Sequence, residues 1–292
     1  MRPAGSRAHP QGAPPLPGSE TFALPSTYSC GMSPAAHAAT LPVRRSSRFV
    51  AWVRAWRAGL VPYDDVAAEI AGDEEHLVAD APGAWTDVPL GQGLAALSKL
   101  HPDEVRLVMP APGDPRGLPG PGPFSGAALV AGEGVVAGGL GLVPEVRSHT
   151  SGSGVMFETV MWRCYPLPEL NGHHGDEPTA SEAEAELSTA LTEATRTLTK
   201  LDVAQWRPEL AGALAALRRP DNGTDLPPGY DPRARRLFAR AAVLDRVLAL
   251  AEHAAPGGAV TGYEARQRDA ALKPLLVACR RALVAACNAP LI

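Results

Sequence analysis

Three residues combine reactive side chains with loop settings: Asp114, Arg116 and His149. Carboxylates and imidazoles are the side chains of acid–base catalysis, and guanidinium groups hold anions in a planar fork. Asp114 and Arg116 fall in "PAPGDPRGLPGPGPFS", residues 110–125, where prolines and glycines predict a long extended loop. A loop of that length inside a compact body often carries function. His149 falls in "SHTSGSG", residues 148–154, predicted as a hairpin loop with one histidine and several hydroxyls. Were these loops to meet between a sheet and a helical bundle, the three residues would form an enzyme site for a small molecule.

Other chemistry-bearing patterns are weaker. Ser151 and Ser153 lie close to His149, but "SGSG" precedes a strand, and the strand-to-helix GxSxG elbow of a serine nucleophile is not present. His173, His174 and Asp176 in "NGHHGDE" lack the spacing of a zinc motif and read as a solvated loop. The acids Asp64-Asp65 and Asp73-Glu74-Glu75, with His76, read as helix-end residues and not as a magnesium site. None of the lysines follows a glycine loop, so no Walker motif exists. Cys30, Cys164, Cys279 and Cys287 form no CxxC pair and read as reduced, buried thiols in a cytoplasmic protein.

The stretch "GAALVAGEGVVAGGLG", residues 126–141, comes nearest to a cofactor motif. A dinucleotide fingerprint needs a helix directly after its glycines. Gly138, Gly139, Gly141 and Pro144 oppose a helix there. The stretch therefore reads as a β-hairpin, "AALVA" and "VVAGG" joined by a turn at Gly132-Glu133-Gly134. No cofactor and no metal site is predicted.

Composition narrows the function classes. The 292 residues carry a net charge of −4, which gives no broad basic field for a phosphate backbone. A nucleic-acid module would need Arg54, Arg57, Arg233, Arg235 and Arg236 to cluster, and it ranks third among the readings. Lys99, Lys200 and Lys273 are the only lysines among 27 basic residues; with abundant Ala, Gly and Pro this reads as GC-rich coding, as in actinobacteria. No apolar run approaches the ~18 residues of a membrane-spanning helix, and the amino terminus lacks a secretory signal core.

The elements follow from periodicity. Residues 1–46 are rich in Pro and Ala and are predicted to be a disordered tail. Phe49, Trp52, Val53, Trp56 and Leu60 recur at helical spacing. Trp52 and Trp56 are the candidates for an interaction surface, since indoles dominate many interfaces. A second helix runs to about Ala71 from a cap at Asp64 or Asp65, and a third covers about 90–100. Strands follow at 104–109, in the hairpin, and in "LGLVPEVR" and "GVMFETVMWRCYPL", where Val160 and Trp162 share a face suited to packing on helices. From Thr179 the chain turns helical, with a capping box to Glu182 or from Ser181 to Glu184. Trp206, Leu210, Leu214 and Leu217 mark one helix, Asp231-Pro232 starts another, and Thr261 with Glu264 caps the last, which is predicted to kink near Pro274 and ends near Cys287. The fold class is α+β: a small antiparallel sheet with N-terminal helices, packed against a C-terminal helical bundle. The organisation is a tail over 1–46, an α+β region over 47–170 and a bundle over 171–292.

At "SSRFVAWVRAWRAGLVPYDDVAAEIAGDEEH" and "VAGGLGLVPEVRSHTSGSG", the chain resembles a conserved family of actinobacterial proteins of unassigned activity, over about residues 46–290. The resemblance carries no catalytic residue with it. Some lineage-restricted actinobacterial proteins are partners of the chromosome-segregation ATPase ParA, so it implies a protein partner in a process of that kind. The leading expectation is a cytoplasmic interaction or regulatory protein without catalysis of its own. The small-molecule enzyme is the alternative.

Overall fold

The computed structural model describes residues 44–150, 152, 156–168, 177–200, 225–253 and 262–292. The chain divides into two units, Met1–Met32 and Ser33–Ile292, and every described residue belongs to the second.

Side-chain alternation along the strands sets the architecture. In β3 (Val105–Val108), β4 (Gly134–Ala137), β5 (Leu140–Thr150) and β6 (Met156–Pro166), successive residues face opposite ways. Val105, Leu107, Val135, Leu142, Val160 and Trp162 enter a large core with Phe49 and Val53. Val108, Val136 and Val143 enter a smaller one on the other face, with Phe124 and Ala128. A strand covered on both faces has to be apolar throughout, and β4 reads Gly-Val-Val-Ala.

β1 (Glu75–Ala79) and β2 (Val88–Pro89) complete a sheet of six strands in the order β2-β1-β6-β5-β4-β3. Every neighbouring pair is antiparallel except β1–β6, which runs parallel with Val78 opposite Trp162. The fold class is α+β, and its sheet is mostly antiparallel. The parallel strand occupies residues expected at a helix end. His76 turns its ring into the core and accepts a hydrogen bond from Trp162 Nε1 (3.1 Å), while Thr159 donates to Glu75 (3.1 Å). These partners sit on β6, so the polar start of β1 is stabilised by pairing and not by helix capping.

Helix α1 (Arg45–Arg57) lies on the large core, with the Phe49 and Trp162 rings 4.6 Å apart. Its first turn lacks a side-chain cap of its own. Helix α2 (Tyr63–Ala71) begins after Pro62, so Asp64 and Asp65 occupy its first turn instead of capping it. They still favour the positive end of the helix dipole. Helix α3 (Leu90–Leu94), extended by a 3-10 turn at Ala95–Leu97, is shorter than the predicted helix.

The glycine stretch resolves differently from the hairpin expected of it. "AALVA" is helical: α4 (Pro123–Ala131) starts with proline at its first turn and ends at Gly132, whose φ of 72° is the left-handed helix stop. A run of small apolar residues fits helix or strand, and Pro123 with Gly132 decides it. The hairpin lies one step later. Ala137 pairs with Leu140, so Gly138 (φ 57°) and Gly139 form a two-residue turn between β4 and β5. Gly141 has a separate reason: a Cβ there would lie 2.3 Å from a ring carbon of Phe124. Because α4 begins at Pro123, the preceding loop spans 110–122 and excludes Phe124 and Ser125.

The local start signals of the bundle hold. Thr179 Oγ1 accepts from Glu182 N (3.3 Å) and Glu182 accepts from Thr179 N (2.8 Å), the reciprocal box that opens α5 (Ala180–Lys200). Asp231 accepts from Arg233 N (2.7 Å) at the start of α6 (Pro232–His253). Helix α7 (Gly262–Cys287) continues through Pro274 and packs against both α5 and α6. The predicted helix around Trp206 to Leu217, the Thr261 cap, and His173, His174 and Asp176 lie outside the described residues.

β3 is an edge strand, and Asn288, beyond α7, covers it. The Asn288 amide accepts from Leu107 N (2.8 Å) and donates to Leu107 O (3.1 Å), standing in for one residue of a seventh strand.

Candidate functional site

Asp114 and Arg116 meet at the end of β3. Ala111 and Asp114 exchange backbone hydrogen bonds (3.0 and 2.8 Å) around Gly113, which holds the loop in a tight turn. Arg116 then grips Asp114 with two bonds, Nε to Oδ1 at 2.7 Å and Nη2 to Oδ2 at 3.0 Å. This fork keeps the Asp114 carboxyl below its usual range and raises the Arg116 guanidinium in turn. Gly117 turns the chain tightly under Val108.

Across from the loop, α7 contributes Arg280, Arg281 and Val284, and the entry to α5 contributes Glu177. With Leu107 to Met109 they line a cleft of about 50 Å³ between sheet and bundle. Arg106 pairs with Glu177, and Arg281 with Glu186. Arg280 approaches Asp114 at 3.8 Å, and its burial lowers its pKa. An aspartate locked in this way makes a poor general base, and guanidinium groups do not release protons at working pH.

His149 is not part of this cleft. It lies on β5, since that strand extends through Thr150, and not in a hairpin loop as expected. Its ring stacks on Phe157 across the ladder, with centroids 5.2 Å apart, on an exposed part of the sheet. Two of the three candidates therefore converge and the third does not. Ser151 and Ser153 lie outside the described residues.

The indoles of Trp52 and Trp56 are half-buried and pack against the large core. Trp56 also meets Tyr63 (5.2 Å between rings) and lies under the Arg57 guanidinium (5.0 Å). Among the described residues, Trp85 is the fully exposed indole, at 101% relative exposure, in the loop joining β1 to β2. The signal that could have found it is Pro82-Gly83, which marks its turn.

Other reactive groups are enclosed. Arg45 binds Glu74 through Nε (3.0 Å) and Nη2, and Glu74 meets His76 Nε2 at 3.3 Å. Burial pushes the Glu74 carboxyl up, but His76 and Arg45 together bring it down to about 2. Both His76 ring nitrogens are thus engaged, one by Glu74 and one by Trp162. Cys164, Cys279 and Cys287 are buried free thiols; burial raises the first to about 11 and the second to about 12, and lifts Cys287 also. Such thiols are poor nucleophiles. Among the described residues, no group of three or more His, Cys, Asp or Glu side chains could hold a metal ion, and no helix is long and apolar enough to cross a membrane. Four of the five arginines of the nucleic-acid reading are separately engaged, and the fifth, Arg236, is exposed. Arg54 is in the core, Arg57 bonds Leu100 O, Arg233 meets Glu184 and Arg235 meets Asp225.

Glu133, between Gly132 and Gly134, is buried and accepts from the backbone N–H of Ser46 (2.7 Å). It supplies the cap that α1 lacks. The middle of the suspected cofactor motif therefore caps a helix of this same chain. Models of the N-terminal and C-terminal domains of Rv1486c-like proteins match residues 46–179 and 181–284. The chain belongs to the Rv1486c-like family. It is similar to the uncharacterized protein Rv1486c of Mycobacterium tuberculosis strain H37Rv, with 27% identity over 82% of this chain and 94% of the relative. The uncharacterized protein MT1533 of the CDC 1551 strain matches with the same identity and coverage. No solved structure matches the chain. The cleft and the exposed indole both lie on parts that the Rv1486c-like domains cover: Trp85 and Asp114 in the N-terminal match, Arg280 in the C-terminal one.

Proposed function

We propose that this protein is a cytoplasmic interaction or regulatory protein that binds a protein partner and performs no catalysis of its own. The observation that carries the reading is Trp85, a whole indole held in water on a turn between two strands. Exposing an apolar side chain of that size forgoes ~1.5–3 kcal/mol of burial, and a partner pocket recovers it. The enclosed state of His76 and of Cys164, Cys279 and Cys287 supports the non-catalytic part, and reduced buried thiols support a cytoplasmic setting. The specific form of the reading is a partner in a process of actinobacteria such as chromosome segregation.

Co-purification from cells, followed by mass spectrometry, tests it. The native chain should retain a partner that Trp85→Ala loses by at least tenfold, while Trp85→Ala unfolds within about 0.5 kcal/mol of the native chain. A chain that retains no partner, or a partner indifferent to Trp85, overturns the reading. An enzyme with its site between sheet and bundle is the second reading, favoured by the cleft that joins Asp114 to Arg280.

A further inference from the structure

We infer that the outer edge of β5, past the point where β4 stops, pairs antiparallel with the same edge of a second copy of this chain. The edge is separate from Trp85 in the β1–β2 loop, so this inference and the partner proposal can fail independently.

β5 outruns its neighbour. It pairs with β6 along its whole length, Leu140 to Thr150, but with β4 only from Leu140 to Leu142. Leu140 closes a two-residue turn, so its N–H and C=O point to β4, and every second residue after it points the same way. Gly139, one residue out of step, turns its carbonyl to Leu167 N on the β6 side. Val146, Ser148 and Thr150 therefore aim their backbone N–H and C=O groups outward, and no described residue bonds them. The other edges of the sheet are blunted: Asn288 covers β3, and β2 is two residues long and ends in proline. Residues 146–150 are all exposed and keep an unbroken register with β6.

The edge matches itself. A two-fold axis at Val146 would drive Thr150 of the second copy against Leu142, whose place is taken by Val135 of β4. An axis at Arg147 would set two arginines face to face. An axis at Ser148 avoids both. It joins the two Ser148 residues, and each Val146 with the other copy's Thr150, so that all three outward residues of each strand exchange hydrogen bonds. Val146 and Thr150 make a β-branched pair, which covers a valine that is 43% exposed. On the opposite face, Arg147 of each copy meets the other's His149, whose ring is stacked on Phe157. A guanidinium group beside a stacked aromatic pair is an attractive contact.

Sedimentation velocity of the full chain over a dilution series should show a monomer–dimer equilibrium. Hydrogen exchange should protect the Val146, Ser148 and Thr150 amides in the dimer alone. Ser148→Pro removes an N–H that β6 does not use, so the variant should melt as the native chain does. It deletes both central bonds and should raise the dimer dissociation constant by about tenfold or more. Thr150→Pro, at the end of the strand, should do the same, and it decides the matter if Ser148→Pro does not fold. A native chain that stays monomeric at every concentration overturns the inference, whether those amides exchange freely or are covered by residues 1–43 or by a strand of another protein. So does a dimer that a folded proline variant leaves intact.

Discussion

The two ends of β3 hold their arginines in opposite ways. At the Val105 end, Arg54 is 1% exposed and enclosed by acceptors: Val105 O at 3.3 Å, Asp103 at 3.1 Å and Ala289 O at 2.9 Å. It ties α1, the edge strand and the residues after α7 together. At the other end, Arg280 borders a cleft, and its partner there is Asp114 at 3.8 Å. Both are guanidinium groups taken largely out of water. The first is held by close hydrogen bonds and the second by one long ion pair, which separates a charge that ties elements together from one that is only loosely compensated.

The largest expected effect tests the enclosed end. Arg54→Ala strips a buried donor from two carbonyls and a carboxylate, and urea unfolding should show a loss of about 3 kcal/mol. A loss below about 1 kcal/mol would erase the contrast with Arg280. A smaller effect separates two other enclosed acids by the sign of their pH dependence. Glu74 titrates at about 2 in the folded chain, below the ~4.3 of a free glutamate. Its contribution is therefore complete above about pH 5 and is lost as pH falls toward 2. Glu133 goes the other way: burial raises its pKa against the pull of Arg44 and Ser46. Its contribution is complete below about pH 4 and is lost as pH rises through its raised value. Urea midpoints from pH 3 to 7 should show Glu74→Gln flattening the acid limb and Glu133→Gln removing a decline toward neutrality. The smallest effect is at the open end, where Arg280→Met loses only a long ion pair and should match the native chain within about 0.5 kcal/mol.

Local signals were legible and distant ones were not. Thr179 with Glu182, and Asp231 with Pro232, are start signals that act within a few residues, and both operate as read. "AALVA" misled because five small apolar residues satisfy either period, and the boundary residues settle the matter. β1 escaped notice because its polar start gains partners only from β6. At the candidate site, Asp114 and Arg116 are neighbours in sequence and could be paired by eye. Arg280 reaches them only through the docking of α7 on the edge strand, which no spacing announces. His149 looked loop-borne because its strand outruns its apolar part: β5 continues as exposed residues up to Thr150.

The amide that shields β3 has a consequence for biosynthesis. Leu107 and Asn288 are 181 positions apart. During translation the bare rim of the nascent sheet therefore has to wait for most of the polypeptide before its cover exists. Through that interval its unmet main-chain groups offer a template to any other extended segment, including one from a neighbouring ribosome. Chaperone dependence and inclusion-body formation should accordingly track residue 288 more closely than residues of the hydrophobic interior.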